Sequence, residues 1–369
     1  MPLTHHLKPA LLAMEVAFAI TMPAHALTYS LASGNESWPT DKRNAIIACM
    51  NEAVATYNAH GYFDKHVTAN YNTGVPTAQA SYSGWIDFGG TIGTRVALHE
   101  IAHTLGVGQY WSWTDGGWWG PAANALVLIY DGQNAGIGTG GGHFWPYGMN
   151  YDNEDTSAVA RERHCKLVAA MRWDMGIVVD SDSDGMPDDW ETFQFGNLNQ
   201  TGTGDADNDG VSNLAEYQTD SNPNVAGPAS GSNYQIRSDF SGKLIDVWGA
   251  STADGGNIVQ WADNSGSNQH WTVTHLGGGW YSFTNANSGK VLETSSMGLN
   301  DGDNVQQWSW LNNFGQQWRL TGGSNGDWRI CNRQSGKAID VNGFSSADGA
   351  NIQQWTDWGG QLWEFLPLP

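Results

Sequence analysis

Apolar and polar positions follow different rhythms along this chain. Between 41 and 60, Ala45, Ile46, Cys49, Ala53, Val54 and Tyr57 recur at helical spacing and draw one apolar stripe, with Thr40 placed to cap its start. Residues 67–71 and 84–88 are short runs of strand character. Gly89-Gly90 then leads into a second helical run from about 92 to 105, where Val96, Leu98, Ala102 and Leu105 form the buried side. A third helical run spans about 156 to 173. Past 232 the rhythm changes to short alternating runs between Gly, Asn and Ser turns, a strand-and-turn pattern without helix signal. The opening residues differ from all of these. Lys8 precedes a mostly apolar run from Ala10 to Thr21, and Ala24-His25-Ala26 fits a small-x-small cleavage site, so 1–26 reads as a secretory leader. No later stretch reaches the about 18 to 20 apolar residues of a membrane span.

Composition narrows the class. A chain of 369 residues suits two or three domains. Lys plus Arg total 16 against 37 Asp plus Glu, a formal net charge of -21, which leaves no basic face for nucleic acid. Only 14% of residues are charged while Gly reaches 47 and Trp reaches 20, which argues for exported, loop-rich β structure rather than disorder. Cys49, Cys165 and Cys331 allow at most one internal disulfide.

The strongest organisational signal is a repeat. Gly242-Lys243-Leu244-Ile245-Asp246-Val247 returns as Gly289-Lys290-Val291-Leu292-Glu293 and as Gly336-Lys337-Ala338-Ile339-Asp340-Val341. Trp261, Trp308 and Trp355 stand 47 residues apart, and each copy closes on Gln-x-Trp, at Gln269/Trp271, Gln316/Trp318 and Gln361/Trp363. Three such units close naturally on a threefold axis. The segment closely resembles the ricin-type β-trefoil lectins. That resemblance implies that the closing Trp packs the core, and that sugar is held by Asp246, Trp261 and Asn268 in the first copy and by Asp340, Gln353 and Trp355 in the third. A carboxylate and an amide take hydroxyls while the indole stacks on the ring's C–H face. The second copy departs, with Glu293 for Asp and Gly315 for Asn; the first has Val259 at the Gln position, and the third has Gly360 for Asn.

Residues 180–220 are rich in Asp and Glu and contain no Lys or Arg. Asp180, Asp182, Asp184, Asp188 and Glu191 occupy the first, third, fifth, ninth and twelfth positions of an EF-hand-type loop, with Gly185 sixth; Asp205, Asp207, Asp209, Asn213 and Glu216 repeat that spacing around Gly210. This is the donor pattern for Ca²⁺. The segment resembles short Ca²⁺-binding repeats that join modules of secreted bacterial proteins, which implies a stiffened linker.

The second helical run contains His99-Glu100-Ile101-Ala102-His103. On a helix, His99 and His103 share one face and can both ligate Zn²⁺, while Glu100 can act as general base toward a water. From His99 to Gly106 the sequence resembles the metzincin branch of zinc metallopeptidases, whose pattern continues to a third His where this chain has Gln109. His143 is the expected third ligand, with Gln109 and Glu154 as alternatives. Met149, six residues on, resembles the Met-turn of that branch. His164 reads as a surface residue, Tyr110 or Tyr147 as an oxyanion donor, and Trp111, Trp113, Trp118 and Trp119 as either cleft walls or packing.

The expected architecture is therefore multidomain. A leader occupies 1–26, an α+β metallopeptidase-like domain 27–178, a short calcium-binding linker 179–222, a Pro/Gly/Ser-rich connection 223–232, and an all-β trefoil with three repeats 233–369. The expected function is that of a secreted, monomeric zinc endopeptidase that needs Zn²⁺ and Ca²⁺ and docks on a carbohydrate or glycoprotein. The alternatives are a glycoside hydrolase, which would need two carboxylates facing across a cleft, and a non-catalytic carbohydrate-binding protein.

Overall fold

The computed structural model describes residues 26–322 and 326–369. The expected leader falls almost wholly on 1–25, outside the described residues. The first strand, β1 (Thr28–Leu31), is followed by helix α1 (Thr40–His60), β2 (His66–Tyr71), β3 (Ala78–Ser81) and β4 (Trp85–Phe88). They form a four-stranded sheet in the order β1-β2-β4-β3, in which β3 alone runs antiparallel. Helix α1 buries Ile46, Cys49, Met50, Ala53 and Tyr57 toward this sheet and the helices behind it. Thr40 is already inside the helix rather than capping it, and Pro39 precedes it at φ −51° without a side-chain cap.

Helix α2 (Thr94–Thr104) follows β4 and ends at Leu105 before Gly106, whose φ is +119°. Helix α3 (Pro121–Asp131) has no counterpart in the sequence reading. It starts with Pro121 at its first turn and stops at Gly132, and its N-terminal amides of Ala122 and Ala123 are accepted by the Asp174 carboxylate at 2.9 and 3.0 Å. A small hairpin, β5 (Gly138–Gly140) with β6 (His143–Trp145), precedes α4 (Ala158–Asp174), which Ser157 caps by accepting from Ala160 N. All three cysteines are buried and free.

The acidic segment folds as two loops, each followed by a short helix, α5 (Asp188–Phe195) and α6 (Asn213–Thr219). The rest is a twelve-stranded antiparallel sheet running from Asn233–Ser238 to Trp363–Pro367 and closed by additional pairings. Its core contains Trp271, Trp318 and Trp363, at 0%, 0% and 1% exposure, and their indole N–H groups donate to the carbonyls of Ile245, Leu292 and Ile339. Equivalent asparagines of the three repeats meet as a ring: Asn257 donates to Asn351 (2.8 Å), Asn351 to Asn304 (2.9 Å) and Asn304 to Asn257 (2.9 Å).

The parts are joined by buried and partly buried ion pairs. Arg163 of α4 pairs with Asp357 of the trefoil at 2.9 Å, and Arg329 pairs with the same carboxylate at 3.0 Å. Lys166 of α4 pairs with Asp220, just past α6, at 2.6 Å, and Arg172 pairs with Asp189 of α5 at 2.8 Å. The backbone of Gln133 donates to the Gln334 carbonyl. Among the described residues no helix is long and apolar enough to cross a membrane.

Candidate functional site

Helical spacing puts His99 and His103 one turn apart on α2, facing the β5–β6 hairpin that carries His143. The hairpin turn needs left-handed residues, supplied by Gly141 (φ +58°) and Gly142 (φ +81°), whose amides donate to the Asp115 carboxylate at 2.8 and 3.3 Å. Against this turn lies Gly108, where a Cβ would come within 2.0 Å of the Gly142 carbonyl oxygen, so only glycine lets the two loops approach. The three imidazoles converge, with ring centroids 4.8, 5.1 and 5.3 Å apart and one nitrogen of each within 4.8 Å of the others.

Their protonation follows from their partners. His99 Nδ1 donates to the Gly148 carbonyl and His103 Nδ1 to the Val107 carbonyl, both at 2.8 Å, because a carbonyl can only accept. Both Nε2 atoms therefore present lone pairs, and they lie 3.2 Å apart. A proton between them would make one ring a cation, which burial opposes: it lowers the pKa of both rings, and with the neighbouring histidine it takes His99 to about 3. Neutral imidazoles with converging lone pairs and outer nitrogens fixed on carbonyls are the donor set that a borderline-soft divalent cation such as zinc fits.

Glu100 lies beside them, 5% exposed, with Oε2 lacking a hydrogen-bond partner. Burial pushes its carboxyl up to about 7, with Arg95 pulling the other way. The histidines and Glu100 line a cavity of about 540 Å³ whose walls include Gln79, Arg95, Trp145, Tyr151 and Glu154. Of the alternative third ligands, Glu154 gives its oxygens to the Asn150 backbone and side-chain nitrogens, and Gln109 is an exposed wall residue outside the imidazole cluster.

Several sequence expectations take other places. His164 is fully buried rather than on the surface: Nδ1 donates to the Tyr147 carbonyl at 2.6 Å, and Nε2 sits 2.8 Å from the Tyr57 hydroxyl. Tyr147 turns its hydroxyl away, to Asp131 at 2.6 Å. Neither Tyr147 nor Tyr110 lines the cavity, and neither do Trp111, Trp113, Trp118 and Trp119; Trp118 is buried with its N–H on Asp174. The aromatic walls are Trp145 and Tyr151, which the sequence reading did not single out.

In the acidic loops Asp180, Asp182 and Asp184 form one carboxylate cluster and Asp205, Asp207 and Asp209 another. The backbones match: Ser183 and Asn208 have φ of +61° and +63°, Gly185 and Gly210 of +95° and +96°. In each, the first carboxylate accepts two loop amides and the fifth-position carboxylate accepts one. Glu191 is fully buried with both oxygens unpartnered, and Glu216 leaves Oε2 unpartnered. Burial first, then the surrounding Asp residues, raises them to about 7 and about 9. The ninth-position residues do something else. Asp188 accepts from the amide and hydroxyl of Ser181, and Asn213 Oδ1 accepts from Ala206 N, so each staples its own loop instead of joining the carboxylates. A short side chain here reaches the second-position amide first. Buried, unpartnered carboxylate oxygens beside three more carboxylates are oxygen donors that suit Ca²⁺.

In the trefoil, Asp246 faces Val259 and Asp340 faces Gln353 across neighbouring strands. Asp246 accepts from Asn268 at 2.9 Å, and Trp261 meets the half-exposed Trp248 edge-on at 5.3 Å. Burial pushes Asp340 up to about 6, and Trp355 stands exposed nearby. Phe240, Phe344 and Trp358 wall the Asp340 side, and the Trp358 ring fills the space where a side chain at 360 would lie. In the second copy Glu293 accepts from both Gln306 (3.0 Å) and Gln316 (2.6 Å), so that carboxylate is fully engaged within the protein.

The family model for ricin-type β-trefoil lectin domain-like sequences matches residues 222–308 and 268–355. The C-terminal part of the chain is thus a ricin-type β-trefoil lectin domain, joined to an N-terminal α/β region. No curated protein matches the chain. Among solved structures, a designed threefold-symmetric protein is 39% identical over 37% of this chain and 99% of its own, with a TM-score of 0.36. An exo-β-1,3-galactanase from Clostridium thermocellum is 34% identical over 37% of this chain and 30% of its own, TM-score 0.37. The ricin B-like lectin of Macrolepiota procera, in complex with lactose, is 24% identical over 38% and 97%, TM-score 0.33.

Proposed function

We propose that this is a secreted zinc-dependent endopeptidase, with calcium in its acidic loops and a lectin domain that holds it on glycans or glycoproteins. The observation that carries the reading is the convergence of the His99, His103 and His143 nitrogens beside the buried Glu100 on one cavity wall. Zinc supplies Lewis-acid chemistry when bound, polarising a peptide carbonyl and acidifying a water. The chain's residues supply the rest. Glu100, raised to about 7, takes a proton from the attacking water near neutral pH and returns it to the leaving amine. His99 and His103 stay neutral and oriented through their carbonyl partners. Trp145 and Tyr151 line the same cavity and offer aromatic faces to a substrate chain. The leader-like pattern at 1–26 supports export.

A glycoside hydrolase is less well supported, because Glu154, the second glutamate of the cavity, has its oxygens occupied by Asn150. Metal analysis and peptidase assay of the purified chain test the reading. One tightly held zinc and cleavage of a glycosylated protein are expected; Glu100→Gln should keep the zinc and lose about 10³-fold in turnover. His143→Ala should lose the zinc while Gln109→Ala keeps it. A chain that takes up no zinc, or a Glu100→Gln variant with native turnover, would leave the non-catalytic lectin reading.

A further inference from the structure

Strand β6 and the short segment that joins it to α4 serve the imidazole cluster together: β6 begins at His143, and the Gly148 carbonyl of the segment orients His99. That segment is not held by its own conformation. Tyr147 (φ +65°) and Met149 (φ +56°) on either side of Gly148 are both left-handed, a conformation that surrounding structure must impose on non-glycine residues.

Arg95 of α2 holds the Met149 and Asn150 carbonyls, and two consecutive residues of α4 grip Tyr147 at both ends. His164 donates to its carbonyl at 2.6 Å, and Arg163 donates through Nη1 to its hydroxyl at 2.8 Å. The Arg163 guanidinium also lies over the Tyr130 ring, 4.8 Å from its centroid. Its other nitrogen, Nη2, donates to Asp357 of the trefoil's third repeat at 2.9 Å, and these side chains are only 6% and 1% exposed. Asp357 is the only full-strength ion-pair partner Arg163 has among the described residues, the other carboxylate, Asp131, standing at 3.7 Å.

We infer that Arg163 and Asp357 are positioning residues of the histidine centre, so that the lectin domain completes the support of the metal site as well as presenting sugar pockets. This rests on the proposed metal site at His99, His103 and His143. Without the Asp357 carboxylate the buried guanidinium turns toward Asp131, the Tyr147 hydroxyl loses its donor, and the segment that sets His143 and the Gly148 carbonyl relaxes. Supporting shells of this kind change metal affinity by about 10- to 100-fold when broken.

The test is zinc affinity of the full chain by chelator competition, with the visible spectrum of the cobalt-loaded chain as a report on ligand geometry. Asp357→Asn and Tyr147→Phe should each weaken zinc binding about tenfold and shift the cobalt spectrum, and the double variant should be no weaker than the worse single one, because both break one relay. Unchanged affinity and spectrum in Asp357→Asn, with the wild type binding one zinc through the three histidines, overturns the inference and leaves the metal site standing. Fully multiplicative losses overturn it too. A wild type that binds no zinc fails the metal-site reading itself. If Asp357→Asn does not fold, Tyr147→Phe, which removes one oxygen and no charge, decides alone: native affinity overturns the relay.

Discussion

Two glutamates set the behaviour of the acidic loops with pH. Glu191 and Glu216 are raised from an ordinary 4.5 to about 7 and about 9 by burial and by the aspartates around them. A carboxyl whose folded value lies above its unfolded value binds its proton more tightly in the folded state, so its stabilising contribution is full below about 4.5 and is lost as pH rises through 7 and 9. The calcium-free chain should therefore melt higher at pH 5.5 than at pH 9, the reverse of a chain governed by salt-bridged acids. If the loops take calcium as proposed, the cation replaces those protons, and adding it at pH 7 should release acid measurable with an indicator dye and flatten the pH dependence of the melting temperature. A melting temperature that falls on acidification with or without calcium would remove the basis for two calcium loops. Donor spacing alone made the loop carboxylates legible in the sequence. It could not separate the ligand-like positions from Asp188 and Asn213, because which nearby amide a short side chain reaches first depends on the folded loop.

At the scale of elements, the three copies give equivalent tryptophans opposite duties. Trp261 and Trp355 lie at the surface of their repeats, whereas Trp271 and Trp363 are buried with their N–H groups on strand carbonyls. Replacing Trp261 and Trp355 together by Ala should abolish retention on a glycan column with little change in melting temperature. Trp271→Ala should instead cost about 3 to 5 kcal/mol of stability, read by denaturant titration. Equal stability losses in both variants would contradict the division. The trefoil was legible because a repeat prints one pattern three times, α1 and α4 because they are long, at 21 and 17 residues, and α2 because its apolar positions recur between polar ones. Helix α3 was missed although Pro121 and Gly132 bracket it, since a run as apolar as Ala122 to Tyr130 shows no polar face to give a period. His164 was misplaced for a related reason: neighbouring Arg161, Arg163 and Lys166 make its surroundings look solvated, yet Arg163 is itself buried against the trefoil.

For the whole molecule, the buried pair Arg163–Asp357 and the partly buried pairs Lys166–Asp220 and Arg172–Asp189 tie α4 to both neighbouring modules. Separating the modules would leave these charges uncompensated, so the calcium-loaded chain should unfold calorimetrically in one transition, not one per domain. Two well-resolved transitions would show the junctions to be weak. The asparagine ring formed by Asn257, Asn304 and Asn351 carries a different constraint. Each amide gives one hydrogen and takes one, so the circuit runs in a single sense, and reversing any one amide without the other two sets oxygen against oxygen and hydrogen against hydrogen. The ring behaves as one switchless unit with a handedness of its own. Two or four repeats could not close this three-membered circuit at the axis, so the ring ties the geometry there to three copies.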